Sequence, residues 1–398
     1  MTLRVLYVNH TSVMSGAEAS LLVLLQALGD AVAPVVACPP GPLVGAVRKL
    51  GVEVRPVPGT ELSARLHPVH TTEQSLRAAR AAQVVRAIAR AVAADVVHAN
   101  TPRAGLISLL AQGAGGRGPV VHVRDAVPPG RLPQAMFRLL ATRAVAYLPT
   151  SQYLRDQLPA GIPAPVVANV IDPAPFDAAA LDRRSARARL GLDEDAPVLA
   201  VIGQISPHKG QSDALRALAV VRRTHPDARL LLVGSVKFAG KATRFDNRAY
   251  REELTRLARR LGVADAALFL GERRDIAEIL SAVDVLLVPS WYEPFGRVAL
   301  EAMVMRVPVI ATSVGGIGEV IDHGVDGLVL PPRDPDAWAR AITELLSDRE
   351  RRAQMGESGR QKTEREFSAR RHASEIMEVY RLAIRPRRPL STGRPRHG

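Results

Sequence analysis

Short apolar segments alternate with longer amphipathic segments along the whole chain. Twelve apolar segments predict strands, six in each half: 3–9, 32–38, 52–57, 95–99, 120–123, 145–149, 198–202, 229–233, 267–270, 285–289, 307–311 and 327–330. Amphipathic segments such as 17–28 and 73–93 predict helices between them. Nearly continuous apolar strands that alternate with helices are typical of parallel sheets covered on both faces. The order therefore predicts two doubly wound α/β domains.

The division between the two domains is expected near residues 169–195, a segment that is rich in proline and acidic side chains. We predict an N-terminal domain over 1–170 and a C-terminal domain over 171–368. A last helix, 369–384, follows a complete second domain, and we expect it to pack back onto the first. The basic, proline-containing tail 385–398 is predicted to be disordered.

The chain of 398 residues carries a net charge of +14, which raises the question of nucleic-acid binding. Only five of its 53 basic residues are lysine, and no aromatic residues are interleaved with the arginines for base stacking. We therefore exclude nucleic acid and expect an anionic membrane surface as the partner of this charge. The first residues lead straight into a strand pattern without a secretory signal, and no apolar run is long enough to span a bilayer. We therefore expect a cytoplasmic protein that associates peripherally with the inner face of the membrane.

Loops that follow predicted strands carry the candidate chemistry, because ligands of open parallel sheets bind beyond the carboxyl ends of the strands. The loop before the first helix contains Gly16, and the loop 202–210 contains Lys209 beside a helix start, where an anion can bind. A third loop holds Glu293, with Glu301 eight residues later in the following helix. Its aromatic residues beside a carboxylate suit a sugar. A fourth loop places Glu319 near a helix start, where it can simply complement the helix dipole.

Several of these motifs together resemble glycosyltransferase family 4, a retaining family with the GT-B fold. The family's Glu-x7-Glu signature is present as Glu293-Pro-Phe-Gly-Arg-Val-Ala-Leu-Glu301, and ISPHKG and SVGGIGEVIDHGVDGLVLPP surround it over residues 198–365. SGAEASLLVLLQAL, ADVVHANTP and ANVIDPAPF extend the resemblance more loosely into the first half. The resemblance implies two Rossmann-like domains that face each other across a central cleft.

The resemblance also implies a set of donor-binding residues for a nucleotide-diphosphate sugar. Glu293 would bind hydroxyls of the donor sugar, Glu301 the ribose, and Lys209 the diphosphate, with Lys209 and Glu293 acting in catalysis. The other implied donor contacts are Gly16, Gly203, Gln204, Phe295, Gly296, Arg297 and Val298. Two features depart from the family pattern. Gln204 stands where arginine is usual, so that either another residue such as Arg297 supplies the missing charge or turnover is slow. Arg124 and Asp125 stand where a histidine often contacts the sugar. We retain both as candidates for contact with sugar or acceptor.

The implied activity is hexosyl transfer to an acceptor hydroxyl in the synthesis of cell-surface polysaccharide or glycolipid, with the acceptor a saccharide or a lipid-linked group. No cofactor and no metal are expected, because the near-DxD runs 193–195 and 334–336 lie in a linker and a turn. A non-catalytic sugar-nucleotide-binding subunit and a GT-B epimerase stay open as alternatives. A nicotinamide-dependent oxidoreductase is disfavoured, because the G-x-G-x-x-G match at 113–118 follows a helix instead of a strand.

Overall fold

A computed structural model describes residues 2–60, 68–113, 117–126, 137–138, 142–178, 180–237 and 245–385. Two six-stranded sheets, in which every strand pair is parallel, form the framework. The first contains β1 Leu3–Val8, β2 Val32–Cys38, β3 Glu53–Pro56, β4 Val96–Ala99, β5 Val120–Val123 and β6 Ala146–Pro149. The second contains β7 Val198–Ile202, β8 Arg229–Val233, β9 Ala267–Gly271, β10 Val285–Val288, β11 Val309–Thr312 and β12 Gly327–Leu330.

Helices cover both sheets. In the first half they are Gly16–Leu28, Pro42–Lys49, Pro68–Ala91, Pro102–Gln112 and Gln152–Arg155. In the second half they are Arg183–Arg189, Gln211–Val221, Asn247–Arg260, Ile276–Ala282, Arg297–Val304, Pro335–Ser347, Arg349–Glu366 and Ala369–Ile384. Short 3-10 turns occupy Gly29–Ala31, Pro207–Lys209 and Ile317–Glu319. The predicted α/β class is confirmed, and the order 3-2-1-4-5-6, counted from each sheet's own first strand, occurs twice.

Small shifts from the predicted strands have local causes. The segment predicted from 307 begins its ladder only at Val309, because Pro308 can accept a hydrogen bond from the Leu286 amide but has no N–H to donate. Strands β4, β5 and β6 are buried along their whole length, which agrees with their lack of polar alternation.

The C-terminal helix Ala369–Ile384 packs against the first helix, Gly16–Leu28, of the N-terminal domain. Its residues Ile376 and Tyr380 are fully buried in the same core cluster as Tyr7 and Leu24. The helix therefore ties the end of the chain to the first sheet. The tail predicted to be disordered is 385–398, and all of it after Arg385 lies outside the described ranges.

Candidate donor site between the two sheets

Both sheets reverse their strand order at one point, between β1 and β4 in the first sheet and between β7 and β10 in the second. Ligands of doubly wound sheets bind at this switch point, beyond the carboxyl ends of the strands. The loops after β1, β7 and β10 open there, and these loops carry Gly16, Lys209 and Glu293. The topology thus places the main predicted residues around one region.

The loop after β7 depends on Gly210. Gly210 has φ +67°, and a side chain there would bring its Cβ within 1.8 Å of the Pro289 carbonyl oxygen. The loop can therefore lie directly against the end of β10 only with glycine at this position. Gly203 begins the same loop, and the short turn Pro207–Lys209 then presents Lys209 just before the helix Gln211–Val221.

Lys209 and Glu293 form an ion pair at this junction. The lysine Nζ lies 2.7 Å from Glu293 Oε2, and the Ser290 hydroxyl donates to the same oxygen at 3.1 Å. Glu293 is buried, whereas Lys209 keeps about a quarter of its side-chain surface exposed. The Gly316 amide donates to the Glu293 carbonyl at 3.0 Å, and a Cβ at Gly315 would collide with that carbonyl. Gly315 and Gly316, which belong to the fourth predicted loop, therefore pack directly against the backbone of Glu293.

The helix Arg297–Val304 starts at the same point. Gly296, its N-cap, has φ +93°, and a Cβ there would lie 2.7 Å from Cδ1 of Ile317. The first N–H groups of an α-helix have no partner within the helix, so those of Arg297 and Val298 can bind an anion. The Phe295 side chain points away and packs in the core, with its ring centroid 6.0 Å from that of Phe367.

Arg297 and Glu301 form a second ion pair, one turn apart on that helix. Arg297 Nη2 lies 2.6 Å from Glu301 Oε1, and both side chains are largely buried. Burial raises the pKa of the Glu301 carboxyl, and the neighbouring Arg297 charge opposes this shift. The other terminal nitrogen, Nη1 of Arg297, is buried without a hydrogen-bond partner among the described residues. Nη1 of Arg297 therefore has N–H groups that can donate hydrogen bonds to a ligand.

The aromatic residues around Glu293, which the sequence indicated for contact with a sugar, make contacts within the protein. Trp291 Nε1 donates to Asp213 at 2.7 Å, and the Arg333 guanidinium lies 4.1 Å from the centroid of the Trp291 ring. Tyr292 instead reaches the other domain, where its hydroxyl donates to Asp125 Oδ1 at 2.9 Å and accepts from the Ala126 amide at 2.5 Å. The aromatic side chains therefore hold the loop and the two domains together.

Gln204, which replaces a usual arginine, contributes no charge to the site. Its side-chain Nε2 lies 3.4 Å from His208 Nε2, and its backbone carbonyl accepts from Gln211 Nε2 at 2.9 Å. The side chain thus lies against the turn that carries Lys209. Within the described ranges, no group of three or more His, Cys, Asp or Glu side chains could hold a metal ion.

The first domain supplies the opposite wall. Gly16 begins the first helix, and no described atom beyond its chain neighbours and the backbone of its own helix lies within 4 Å of the position that a Cβ would occupy. In the first turn of that helix, the buried Glu18 accepts from the Ser15 amide and from Asn9 Nδ2. Lys237 of the second domain donates to the Met14 carbonyl at 2.7 Å, so the loop before Gly16 touches the second domain directly.

Arg124 and Asp125 follow β5 on the same wall. The Arg124 guanidinium donates to Asn169 Oδ1 and lies 3.2 Å from His122 Nδ1. Burial lowers the pKa of Arg124 to about 9, and the Arg297 charge acts in the same direction, so Arg124 remains a cation at neutral pH. Desolvation between the two domains raises the pKa of the Asp125 carboxyl, although its hydrogen bond to Tyr292 opposes the shift.

Glu319 makes an interdomain contact that sequence reasoning missed. Its carboxylate accepts from the Gln152 amide at 2.6 Å and from the Tyr153 amide at 2.8 Å, at the start of the helix Gln152–Arg155. The Ser151 hydroxyl donates to the Pro294 carbonyl at 2.8 Å beside it. Glu319 lies in the first turn of Ile317–Glu319, as the sequence interpretation placed it, and its carboxylate also caps a helix of the other domain.

Comparisons with known families agree along the chain. Residues 14–174 match the model described as Glycosyltransferase Family 4, and residues 182–362 match the model described as Glycosyl transferases group 1. The D-inositol 3-phosphate glycosyltransferase of Stackebrandtia nassauensis is 36% identical over 224 residues, 54% of this chain and 49% of the relative. That of Saccharomonospora viridis is 37% identical over 204 residues, 51% of this chain and 46% of the relative. The chain thus spans about half the length of the curated relatives it matches.

Solved structures with the same fold cover nearly the whole chain. Anabaena Alr3699/HepE, crystallised in complex with UDP-glucose, superposes with a TM-score of 0.79 at 24% identity and covers 95% of this chain and 99% of its own. A sucrose-phosphate synthase from Thermosynechococcus elongatus superposes with a TM-score of 0.78 at 21% identity, over 95% of this chain and 98% of its own. No helix in the described part of the chain combines the length and apolar character needed to cross a membrane. With two doubly wound sheets, the Glu293-to-Glu301 motif at the second switch point and both family models in agreement, the chain belongs to glycosyltransferase family 4 and has the GT-B fold.

Proposed function

We propose that the protein transfers a hexose from a nucleotide-diphosphate sugar to an acceptor hydroxyl with retention of anomeric configuration. The observation that carries this proposal is the pairing of Lys209 with Glu293 and of Arg297 with Glu301, beside the free N–H groups of one helix start. The site offers two cations for a diphosphate and two carboxylates for hydroxyl groups. A relative named as a glycosyltransferase and a similar fold crystallised with UDP-glucose support the donor class.

In this proposal each group of the site contacts one part of the donor. Glu293 accepts from hydroxyls of the sugar, and Glu301 accepts from hydroxyls of the ribose. Lys209, Arg297 Nη1 and the amides at the start of helix Arg297–Val304 hold the diphosphate. The open space at Gly16 lets the first domain approach the phosphates. The charge that Gln204 cannot provide then comes from Arg297.

The proposed chemistry takes place on one face of the sugar. The bond between the anomeric carbon and the diphosphate oxygen breaks, and the acceptor oxygen forms its bond from the same side. The acceptor proton passes to the departing phosphate oxygen, so the protein needs no strong base. Lys209 stabilises the negative charge that grows on the leaving group, and such preorganised charges are worth several kcal/mol in a desolvated site, roughly 3–4 kcal/mol for one donor.

We further propose that the acceptor is a saccharide or a lipid-linked group presented at an anionic membrane surface, in the synthesis of cell-surface polysaccharide or glycolipid. The helix Pro68–Ala91 of the first domain exposes four arginines and, at Leu76, an apolar side chain that is 69% exposed. The exposed arginines are Arg77, Arg80, Arg86 and Arg90. Flotation with vesicles containing phosphatidylglycerol should recover the protein at low salt but not at 1 M salt, where the Debye length is about 3 Å. Equal recovery with neutral vesicles would contradict the membrane proposal.

A non-catalytic binding subunit is the alternative that Gln204 favours. Thermal unfolding should first be measured with UDP-, GDP- and ADP-sugars, since a donor at 100 times its dissociation constant stabilises the protein by about 2.7 kcal/mol. Hydrolysis and transfer of the best donor are then followed by proton NMR, which also shows the anomeric configuration of the product. Donor binding without turnover on any acceptor would favour the subunit, and an inverted product would contradict the proposed mechanism.

Metal independence is part of the proposal, because the cations assigned to the diphosphate belong to the chain itself. Transfer should continue in excess EDTA at close to the untreated rate. A loss of activity that only Mg²⁺ or Mn²⁺ restores would overturn this assignment.

A further inference from the structure

We propose that Asp125 and Tyr153 of the first domain, together with Tyr292 of the second, bind a sugar ring of the acceptor. In this arrangement Asp125 Oδ2 accepts a hydrogen bond from the hydroxyl next to the one that attacks the donor. The inference names the class of acceptor and so rests on the proposed function, but binding of the sugar ring can be measured without turnover.

The Asp125 carboxyl has one oxygen that is held by the protein and one that is open. The Tyr292 hydroxyl and the Ala126 amide both donate to Oδ1, each at 2.9 Å. The Asp125 side chain is exposed, and Oδ2 has no hydrogen-bond partner among the described residues. This oxygen can therefore accept a hydrogen bond from a ligand without losing an existing contact.

The Asp125 carboxyl lies beside the predicted site of the donor sugar. Tyr292, which contacts it, directly precedes Glu293 in the chain, and Glu293 forms the ion pair with Lys209. Desolvation raises the pKa of the Asp125 carboxyl, while its hydrogen bond to Tyr292 and the charges of Arg103 and Lys209 lower it. Lys209 thus acts on Asp125 from the opposite domain. A group bound at Asp125 enters the site from the wall that faces Glu293.

Two tyrosine rings, one from each domain, complete this part of the cleft. The ring centroids of Tyr153 and Tyr292 are 6.5 Å apart with 57° between the ring planes, and both side chains are half-buried. Each side chain therefore keeps part of its surface exposed next to the carboxyl. A sugar ring has an apolar face that packs on aromatic surface and hydroxyls that need acceptors, and this group of side chains offers both.

The proposed mechanism decides which hydroxyl Asp125 binds. The proton of the attacking hydroxyl passes to the departing phosphate oxygen, so it is not available to Asp125. The carboxyl therefore needs a second hydroxyl, and a sugar ring carries one on a neighbouring carbon. A phosphate group in contact with Oδ2 would bring like charges together, which is unfavourable, so the group bound at this atom is a hydroxyl.

Saturation-transfer NMR tests the binding of sugars without turnover. Protein alone and protein with UDP are each mixed with the methyl pyranosides of glucose, galactose, mannose, rhamnose and xylose. At least one sugar should give a signal, which Asp125→Asn lowers about fivefold and Tyr153→Leu also weakens. Asp95→Asn is the matched control, because Asp95 precedes β4 at the other end of the sheet and accepts from the Arg4 amide. No signal from any of the five sugars in the unaltered protein, or equal signals in the two Asp→Asn variants, would overturn the inference.

Kinetics separate a contact with the acceptor from a contact with the donor. With a saccharide that the protein glycosylates, Asp125→Asn should raise the acceptor KM about tenfold and change the donor KM less than about twofold, because the bound hydroxyl does not react. A raised donor KM with an unchanged acceptor KM would place Asp125 on the donor sugar and overturn the acceptor assignment. Failure of the unaltered protein to transfer or hydrolyse any donor would instead contradict the proposed function, and the binding measurement would still decide the inference.

Discussion

Single residues at the second switch point carry charges that are already neutralised in pairs. Lys209 lies against Glu293, and Arg297 lies against Glu301, with one member of each pair almost entirely buried. A buried charge without a partner is costly, so the pairs keep the site stable before a donor arrives. In the proposed function, a donor would exchange contacts with groups that are already held in place, which would lower the reorganisation needed for reaction.

Replacement of Lys209 tests whether this cation acts mainly on the leaving group. Lys209→Ala should lower kcat about tenfold to a hundredfold and change donor affinity less, because its charge matters most as the phosphate departs. Lys49→Ala, at an exposed helix end, is the control for loss of one positive charge. Steady-state kinetics together with donor titration separate the two effects. A kcat within twofold of the unaltered enzyme would contradict the assigned role.

Glu301 should behave differently, because the ribose that it is proposed to bind does not change during the reaction. Glu301→Gln keeps the shape of the side chain but weakens its contact with Arg297 and with ribose hydroxyls. We expect KM for the donor to rise about tenfold while kcat stays nearly constant. A drop in kcat as large as the rise in KM would indicate that Glu301 acts on the reacting centre.

At the level of residues, some contacts of this site could be predicted from the sequence and others could not. The spacing from Glu293 to Glu301 and the position of Lys209 located the region, because strand ends and helix starts can be read from hydrophobic pattern. The Arg297–Glu301 pair also had a signal, since residues four apart share a helix face. The packing of Phe295 against Phe367 and the bond from Trp291 to Asp213 had none, because these partners are distant in sequence.

Among the elements, loops and short helices at the switch points connect the two domains directly. Glu319 caps the start of helix Gln152–Arg155 from across the cleft, and Tyr292 binds Asp125 beside it. These contacts join the two walls of the cleft, and we expect them to favour closure of the cleft around a ligand. Sequence patterns could not predict them, since a cap is normally supplied from the same segment of chain.

Removal of the Glu319 cap should therefore weaken closure more than chemistry. A helix cap is worth about 1 kcal/mol, so Glu319→Ala should raise the donor KM roughly fivefold with a smaller change in kcat. Glu344→Ala, on the exposed face of helix Pro335–Ser347, controls for loss of a surface carboxylate. Small-angle scattering should show a larger radius of gyration for the Glu319 variant. Identical scattering and KM for both variants would show that the cap does not control closure.

On the scale of the whole molecule, the sequence predicted the two α/β units well because each strand is a nearly uninterrupted apolar run. The repeated 3-2-1-4-5-6 order and the switch points follow from parallel pairing but could not be ranked against other orders by pattern alone. The buried polar groups under the last helix were harder still. His98 lies within β4, and its contacts with Tyr380 and His122 join it to residues 282 and 24 positions away in the sequence.

That buried cluster should make the whole molecule sensitive to acid. Burial lowers the pKa of His98 and of His372 to about 3 from an ordinary value of 6.5, and it lowers the pKa of His122 well below that value. Between about pH 3 and about pH 6.5, these histidines bind protons in the unfolded chain but not in the folded chain. Stability therefore falls as pH drops below about 6.5, by up to about 1.4 kcal/mol per pH unit for each such histidine.

The His372→Leu variant removes one titratable member of this cluster, the ring that stacks on His122 at a centroid distance of 6.1 Å. Leucine cannot take up a proton, so the variant should lose stability less steeply as pH falls, whatever its stability at neutral pH. Urea unfolding at pH 7.5, 6.0 and 5.0 gives the slope for each protein, and the difference between the two slopes should approach one proton below pH 6. Carboxylates elsewhere also titrate in acid, but they contribute equally to both proteins and cancel in the comparison. Equal slopes would mean that His372 is already protonated in the folded state or that the unfolded chain shields it, and the acid sensitivity would then have to arise outside this cluster.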